Sequence, residues 1–209
     1  MVDLAKIAEG VIKADVDAVK EMIQQAIDEG QDVKKILNKG LIAGMRVVGN
    51  KFESGEFFLP EMIIASKTMK EGLELLSPLL KQDDLQSAGV VIIGTAKSDI
   101  HDIGKGIVCT MLEGGGFMVT DIGVDVDPEK FVEAAREKNA DIIGVSALLT
   151  TTMVGMKDVI DSVREAGIKA KVMIGGASIT NEYADEIGAD GYAPDAPAAV
   201  REAAGLLDT

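Results

Sequence analysis

The sequence predicts an α/β protein in which an N-terminal four-helix bundle precedes a flavodoxin-like (Rossmann-like) doubly wound parallel sheet. Residues 3–80 show helical periodicity and no convincing strand. From residue 89 onward, short apolar runs alternate with amphipathic runs, as expected for parallel strands joined by right-handed helical crossovers. A polar stretch separates the two regions and predicts a helical domain over 1–82, a linker over 83–88 and an α/β domain over 89–209.

Four helices in an up-and-down arrangement are the economical prediction for the first region. Asp15 is the predicted N-cap of the second helix. The third helix begins near Asp32 and ends before the polar turn 53–56. The fourth helix has Pro60 near its first turn, where proline is tolerated, and is predicted to run to about Leu80.

The α/β region is predicted to contain five strands and five helices. The strands are expected near 90–94, 117–121, 141–146, 171–175 and 190–192. The helices are expected near 103–114, 128–138, 151–166, 180–187 and 196–207.

Composition excludes several kinds of partner. A net charge of −14, no Trp and 3% aromatic residues do not suit nucleic acid, which needs a basic surface and stacking platforms. No apolar run approaches the length of a membrane span, so we expect no membrane partner. A single Cys forms no internal disulfide, which predicts a protein of the reducing cytoplasm.

The loop after the first predicted strand contains the only histidine, His101. In an open α/β sheet, ligands bind at the loops that leave the carboxyl ends of strands. Asp99 lies two residues before the histidine, and glycines at 104 and 106 would let a bulky group approach the backbone. A lone histidine usually has no special role. Here its position favours a metal ligand whose second ring nitrogen donates to the carboxylate of Asp99.

A metal site made of protein ligands alone is poorly supported. Zinc normally takes three or four protein ligands, and this chain has one His and one Cys. A metal at His101 must therefore arrive with most of its ligands attached, as it does in a macrocyclic cofactor.

Residues 99–104, Asp-Ile-His-Asp-Ile-Gly, match the Asp-x-His-x-x-Gly signature of cobalamin-binding proteins. With its accompanying segments, the chain resembles the corrinoid proteins of methyltransferase systems that serve methylamines, methanol, quaternary amines or aryl methyl ethers. These proteins are related to the cobalamin module of methionine synthase. The resemblance extends from about residue 5 to about residue 205. It implies that His101 is the axial ligand of cobalt, that Asp99 orients it, and that Thr152 stands where methionine synthase extends this hydrogen-bond chain with a serine.

The resemblance also implies contacts with cobalamin in the loops at the strand ends. Ser146 and Thr150 match a segment that contacts the buried nucleotide tail, although hydroxyls there also suit helix caps. Ser98 stands where many relatives have glycine. The helical domain would cover the upper face of the corrin. The implied cobalamin contacts are Ser98, Asp99, Ile100, His101, Asp102, Ile103, Gly104, Ser146, Leu148, Thr150, Gly175, Gly176, Tyr192, Ala196, Phe58 and Leu59.

The function that the resemblance implies is that of a methyl carrier. Cobalamin, as cob(I)alamin, would accept a methyl group from a substrate:corrinoid methyltransferase and, as methylcobalamin, present it to a corrinoid:acceptor methyltransferase that uses tetrahydrofolate or a thiol. A reductive activase is the third implied partner. The chain would be the cofactor-carrying subunit and not catalytic alone.

Three alternatives share part of the pattern. A mutase module has the histidine motif but needs a barrel domain for its substrate. A cobalamin-binding sensor or regulator would need a DNA-binding domain, which this acidic sequence does not offer. A flavodoxin-like response module would bind no corrin, and absorbance of the purified protein separates it from the others.

Overall fold

The computed structural model of the protein describes residues 1–79 and 88–207, without the side chains at 53, 59 and 77. The chain forms two compact units, one of Met1–Ser87 with Glu113–Gly116 and one of Ala88–Leu112 with Phe117–Thr209. Residue 80, at the predicted end of the fourth helix, and residues 83–87 of the predicted linker lie outside the described residues.

All regular secondary structure in the described residues of the helical unit is helical. They are α1 (Leu4–Ile12), α2 (Val16–Asp28), α3 (Val33–Ile36), a π-helical segment (Leu37–Ile42), α4 (Ala43–Glu53), α5 (Leu59–Leu76) and a 3₁₀ turn (Ser77–Leu79). The predicted N-cap is confirmed, because an Asp15 side-chain oxygen accepts from the Ala18 N–H at 3.1 Å. Pro60 lies in the first turn of α5, as predicted.

The predicted third helix contains a π-helical segment that the sequence did not reveal. Backbone angles stay right-handed helical at Ile36 and Ile42, so α3, the π segment and α4 form one continuous helical run. A Cβ at Gly40 would lie 2.9 Å from Cγ2 of Ile7, so glycine is needed where α1 approaches this run. The wider turn of a π-helix changes the spacing of apolar residues too little for the segment to be recognised from the sequence.

The second unit is a five-stranded, all-parallel sheet in the order β2-β1-β3-β4-β5, and the predicted flavodoxin-like fold is confirmed. The strands are β1 (Val90–Thr95), β2 (Met118–Asp121), β3 (Ile142–Ser146), β4 (Lys171–Gly175) and β5 (Gly191–Ala193). The helices are α6 (Ile103–Gly114), α7 (Pro128–Lys138), α8 (Gly155–Glu165), α9 (Asn181–Ile187) and α10 (Ala196–Leu207).

Helices cover both faces of this sheet. Ile92 and Ile143 face a core shared with α7 and α8, whereas Val91 and Ile142 face a core shared with α10. Alternate residues of one strand point to opposite faces, so strands buried on both sides appear as continuous apolar runs. This is why β1 and β3 could be predicted from their Val and Ile content.

The register of the sheet brings four strand ends together. Thr95 pairs with Ser146, Ser146 with Gly175, and Gly175 with Ala193. The loops that leave β1, β3, β4 and β5 therefore start side by side at one edge, which is the position expected for a ligand site. In the described ranges we find no helix with the length and apolarity to cross a membrane.

Candidate functional site at the carboxyl edge of the sheet

A cavity of about 280 Å³ opens where these four strands end. Its lining is mostly backbone and apolar side chains. The lining residues are Ile93, residues 144–148, 173–177 and 193–195, and, from the first loop and the helices, His101, Gly104, Lys105, Val108 and Ala199. The loops at the strand ends, where the sequence analysis predicted ligand contacts, thus line this cavity.

The loops after β3 and β4 touch through their backbones. Gly176 has a φ of +144°, and a Cβ there would lie only 1.8 Å from the carbonyl oxygen of Ala147. Only glycine permits this approach, so its presence here has a steric cause. The result is a narrow wall without side chains on one side of the cavity.

His101 lies at the cavity with one ring nitrogen already engaged. Its Nδ1 is 2.7 Å from Oδ1 of Asp99, and 47% of the His101 side chain is exposed. Nδ1 therefore donates to the carboxylate. No described residue hydrogen-bonds to Nε2, which leaves that nitrogen as the one available to a ligand.

Asp99 is almost fully buried, with 1% of its surface exposed, and its carboxylate accepts four hydrogen bonds. Oδ1 accepts from the backbone N–H of His101 at 3.0 Å as well as from Nδ1. Oδ2 accepts from the Leu148 N–H at 2.8 Å and from the Thr152 hydroxyl at 2.5 Å. The carboxylate thus joins the loop after β1 to the loop after β3.

These contacts settle the charge of Asp99. Burial raises the pKa of the carboxyl, but the hydrogen bonds from Thr152, His101 and Leu148 outweigh burial and hold the pKa well below its usual range. Asp99 is therefore an ionised carboxylate at every pH at which the protein would work.

The segment that carries both residues, residues 96–102, is called the histidine loop here. It is fixed at its base, since the buried hydroxyl of Thr95 donates to the carbonyl of His101 at 3.0 Å. At its tip, Ser98 has a φ of +66°, a conformation that glycine adopts more readily. Glycine at this position, which the resemblance implies for many relatives, would adopt this conformation without strain.

The structure brings together only part of the implied contact set. His101, Gly104, Ser146, Leu148, Gly175 and Gly176 line the cavity. Ile100 and Ile103 are 73% and 82% exposed, so these two apolar side chains lie uncovered beside the histidine. The members outside the cavity lining are Ser98, Asp99, Ile100, Asp102, Ile103, Thr150, Tyr192 and Ala196.

Tyr192 and Lys105 make contacts that the sequence did not reveal. The Tyr192 hydroxyl donates to the carbonyl of Ile179 at 3.0 Å, so it ties β5 to the loop after β4. Lys105, which was not predicted, lines the cavity, and its buried side chain forms an ion pair with the partly exposed carboxylate of Asp121. Its position in the first turn of α6, four residues after His101, was a signal that could have found it.

Phe58 belongs to the helical unit, immediately before α5, and is 67% exposed. Its N–H donates to a carboxylate oxygen of Glu61 at 2.9 Å, which satisfies one free donor at the start of the helix. The side chain of Leu59 lies outside the described residues. The role of both residues at a corrin stays a prediction.

Comparisons with known proteins agree with the site. Two family models, each for a B12 binding domain, match residues 89–201 and residues 4–77. The chain is 48% identical to dimethylamine corrinoid protein 1 of Methanosarcina acetivorans, over 98% of this chain and 97% of that protein. It is 40% identical to trimethylamine corrinoid protein 1 of the same organism, over 98% and 96%.

A solved structure extends the similarity to three dimensions. The methanol:cobalamin methyltransferase complex MtaBC of Methanosarcina barkeri contains a chain that matches with a TM-score of 0.88 and 31% identity. The match covers 97% of this chain and 79% of that chain. Both units of the present structure therefore have a counterpart in one solved protein.

The contact between Thr152 and Asp99 predicts a difference between two substitutions. Thr152→Val removes a donor to a buried carboxylate, and we expect it to lower the free energy of unfolding by about 1.5–3 kcal/mol. Thr152→Ser keeps the hydroxyl and serves as the matched control, with a loss of only about 1 kcal/mol for the missing methyl group. Urea unfolding of the cofactor-free protein measures both, and a loss in Thr152→Val no larger than the loss in Thr152→Ser would contradict the predicted contribution of the hydroxyl.

The lowered pKa of Asp99 predicts a pH dependence of stability. Because the folded-state pKa lies below that of the unfolded chain, about 3.9, the contribution is complete above that value and is lost as the pH falls toward the folded-state pKa. We expect the stability gap between wild type and Asp99→Asn to narrow by about 1 kcal/mol between about pH 5 and pH 3. A gap that stays constant down to pH 3 in acid titration would contradict the assignment.

Proposed function

Because this chain belongs to the family of corrinoid proteins of methyltransferase systems, we propose that it carries methyl groups from one methyltransferase to another. Cobalamin, when bound, supplies the cobalt ion that accepts and gives up the methyl group. The observation that carries the proposal is the pairing of a partly exposed His101 with a buried, fully hydrogen-bonded Asp99 at the mouth of the cavity.

The residues present fit this cofactor in three respects. The cavity volume, about 280 Å³, lies at the lower end of the range for small-molecule sites, which suits a nucleotide tail rather than a whole macrocycle. The uncovered Ile100 and Ile103 offer apolar contact beside the cavity. A Cβ at Gly104 would meet no protein atom within 4 Å, so the space above that backbone is open.

The cavity also supports histidine ligation. If His101 held the metal in place of the cofactor's own benzimidazole, that base would need a separate pocket. We call the part of the cavity that lies against the loops after β3 and β4 the slot. Gly175 and Gly176 form one of its walls, and it begins next to His101. We propose that the nucleotide tail enters this slot and that Nε2 of His101 binds the metal.

Within this proposal, Asp99 has two tasks. It keeps the imidazole in the tautomer that has its proton on Nδ1, so that the lone pair of Nε2 is directed at the ligand. It would also hold the ring in one orientation, because its second oxygen is anchored by the Leu148 N–H and the Thr152 hydroxyl. Since these contacts hold the pKa of Asp99 well below its usual range, the carboxylate accepts from Nδ1 and does not donate to it.

The partners that we propose are proteins of the same system. A substrate:corrinoid methyltransferase loads the methyl group, a corrinoid:acceptor methyltransferase removes it, and a reductive activase restores the reduced cofactor. A methyltransferase is part of the solved complex that this chain resembles. Relatives named for dimethylamine and trimethylamine favour a methylamine as the donor.

Methyl transfer can be measured directly. We expect ¹⁴C from dimethylamine to become bound to the reduced holo-protein only when its methyltransferase is present, and to move to a thiol when a second methyltransferase is added. Parallel reactions with monomethylamine, trimethylamine and methanol identify the donor. His101→Ala should retain some cobalamin but accept label more slowly, by about ten-fold or more, because the axial ligand is lost. Cobalamin-loaded protein that takes up no label with any donor and partner would contradict the carrier function.

A pair of glycine substitutions tests where the cofactor lies. Gly104→Ala adds a methyl group into open space beside the cavity, and we expect cobalamin to bind about ten-fold more weakly. The free energy of unfolding of the cofactor-free protein should stay unchanged or rise by about 0.5–1 kcal/mol, because alanine favours a helix more than glycine does.

Gly106→Ala is the matched control for this pair. Gly106 lies in the same helix, and its Cβ would also meet nothing within 4 Å, but it is not part of the cavity lining. Its effect on cobalamin binding should be small. Equal binding by both variants, measured by absorbance titration with hydroxocobalamin, would place the cofactor elsewhere.

A further inference from the structure

The loop between β2 and α7 contacts the histidine loop through Asp125. The backbone N–H of Asp125 donates to the carbonyl oxygen of Asp99 at 2.9 Å. A side-chain oxygen, Oδ1 of Asp125, accepts from the N–H of Ser98 at 2.8 Å. Asp125 thus contacts both Ser98 and Asp99, which lie three and two residues before His101.

Pairing between β1 and the chain after β2 brings Asp125 to this position. The Thr95 N–H donates to the carbonyl of Gly123, and the Val126 N–H donates to the carbonyl of Thr95, each at 3.0 Å. Ala96 and Val126 form a further parallel bridge. The two segments therefore run side by side past the ends of the strands, and Asp125 lies opposite the tip of the histidine loop.

Both residues joined by the side-chain contact have a left-handed backbone. Ser98 has a φ of +66° and Asp125 a φ of +52°. Residues with a side chain rarely adopt this conformation, and it persists only where surrounding contacts hold it. Aspartate tolerates it better than most residues, whereas Ser98 gains its support from the hydrogen bond that its N–H donates to Asp125.

We propose that Asp125 is a positioning residue for the metal ligand. By holding Ser98 in its left-handed conformation, its carboxylate fixes the backbone of Asp99, and Asp99 in turn fixes the imidazole of His101. The inference rests on the proposed function, in which His101 binds cobalt. Asp125 is partly exposed and lies outside the cavity lining, yet in this proposal it controls the direction in which Nε2 of His101 points.

The hydrogen bond rather than the charge of Asp125 carries this role. Lys97 Nζ lies 3.5 Å from Asp125 and 3.1 Å from Asp127, and the side chains of all three are about half exposed. Exposed ion pairs of this kind contribute little to stability. Asp127 shares Lys97, but among the described residues its side chain accepts no hydrogen bond from the backbone of the histidine loop. It therefore provides a matched control.

The experiment compares Asp125→Gly, Asp125→Asn and Asp127→Ala in the full-length protein. Glycine accepts the positive φ at 125 but removes the acceptor, whereas asparagine keeps an oxygen for the Ser98 N–H. The first readout is amide hydrogen exchange at His101 in the cofactor-free protein, because the His101 N–H donates to Asp99 and not to Asp125. We expect exchange to be about ten-fold faster in Asp125→Gly and unchanged in the other two.

The second readout is the cobalt(II) electron paramagnetic resonance spectrum of cobalamin-loaded protein. We expect the fraction of signal with hyperfine coupling to a histidine nitrogen to fall by at least about half in Asp125→Gly and to stay at the wild-type level in Asp125→Asn and Asp127→Ala. If Asp125→Gly matches Asp127→Ala in both readouts, the positioning role is refuted. If wild type itself lacks the coupling, the proposed ligation fails, while the exchange rates still decide whether Asp125 orders the loop.

A double substitution keeps the test decisive if Asp125→Gly folds poorly. Adding Ser98→Gly gives residue 98 access to its positive φ without help from a carboxylate. We expect the double variant to exchange its His101 amide more slowly than Asp125→Gly alone and to regain folded protein. Failure of Ser98→Gly to improve either property would show that Asp125 does not act through the conformation of Ser98.

Discussion

The site depends on one buried carboxylate. Asp99 accepts hydrogen bonds from His101 twice, from Leu148 and from Thr152, and these bonds hold its pKa low despite burial. An ionised group in the interior is stable only when it is satisfied in this way. The same bonds that stabilise the charge also fix the imidazole, so folding energy and ligand geometry come from one set of contacts.

The parallel sheet makes this arrangement possible. Its register places the ends of β1 and β3 next to each other, which brings the Leu148 N–H and the Thr152 hydroxyl to a carboxylate that is about fifty residues away in sequence. Glycine at 176 then lets the loop after β4 approach the loop after β3, and a narrow slot forms beside the histidine. The proposed methyl carrier would need from this edge of the sheet a fixed histidine and a pocket for part of the cofactor, and these loops supply both a fixed His101 and a cavity.

Much of this was predictable from residue patterns, and the remainder has physical reasons for escaping them. Apolar runs and caps predicted the strands and most helices, and the position of His101 after a strand predicted the edge of the sheet that forms the cavity. The π-helical segment over 37–42 leaves apolar spacing nearly unchanged. Asp125 looked like an ordinary loop carboxylate, because its contact with Ser98 depends on pairing beyond the ends of two strands. The hydrogen bond from the Tyr192 hydroxyl to the carbonyl of Ile179 likewise depends on the fold, and the implied contact of Tyr192 with the cofactor stays a prediction.

The most direct test of the account uses the fact that the chain has a single histidine. Incorporating ¹⁵N-histidine labels only His101, and the cobalt(II) electron paramagnetic resonance spectrum then reports whether that residue binds the metal. The account predicts that the hyperfine splitting from the axial nitrogen changes from triplets in unlabelled protein to doublets in labelled protein. Splitting that stays as triplets would mean that the nitrogen belongs to the cofactor's own base, and histidine ligation would be wrong.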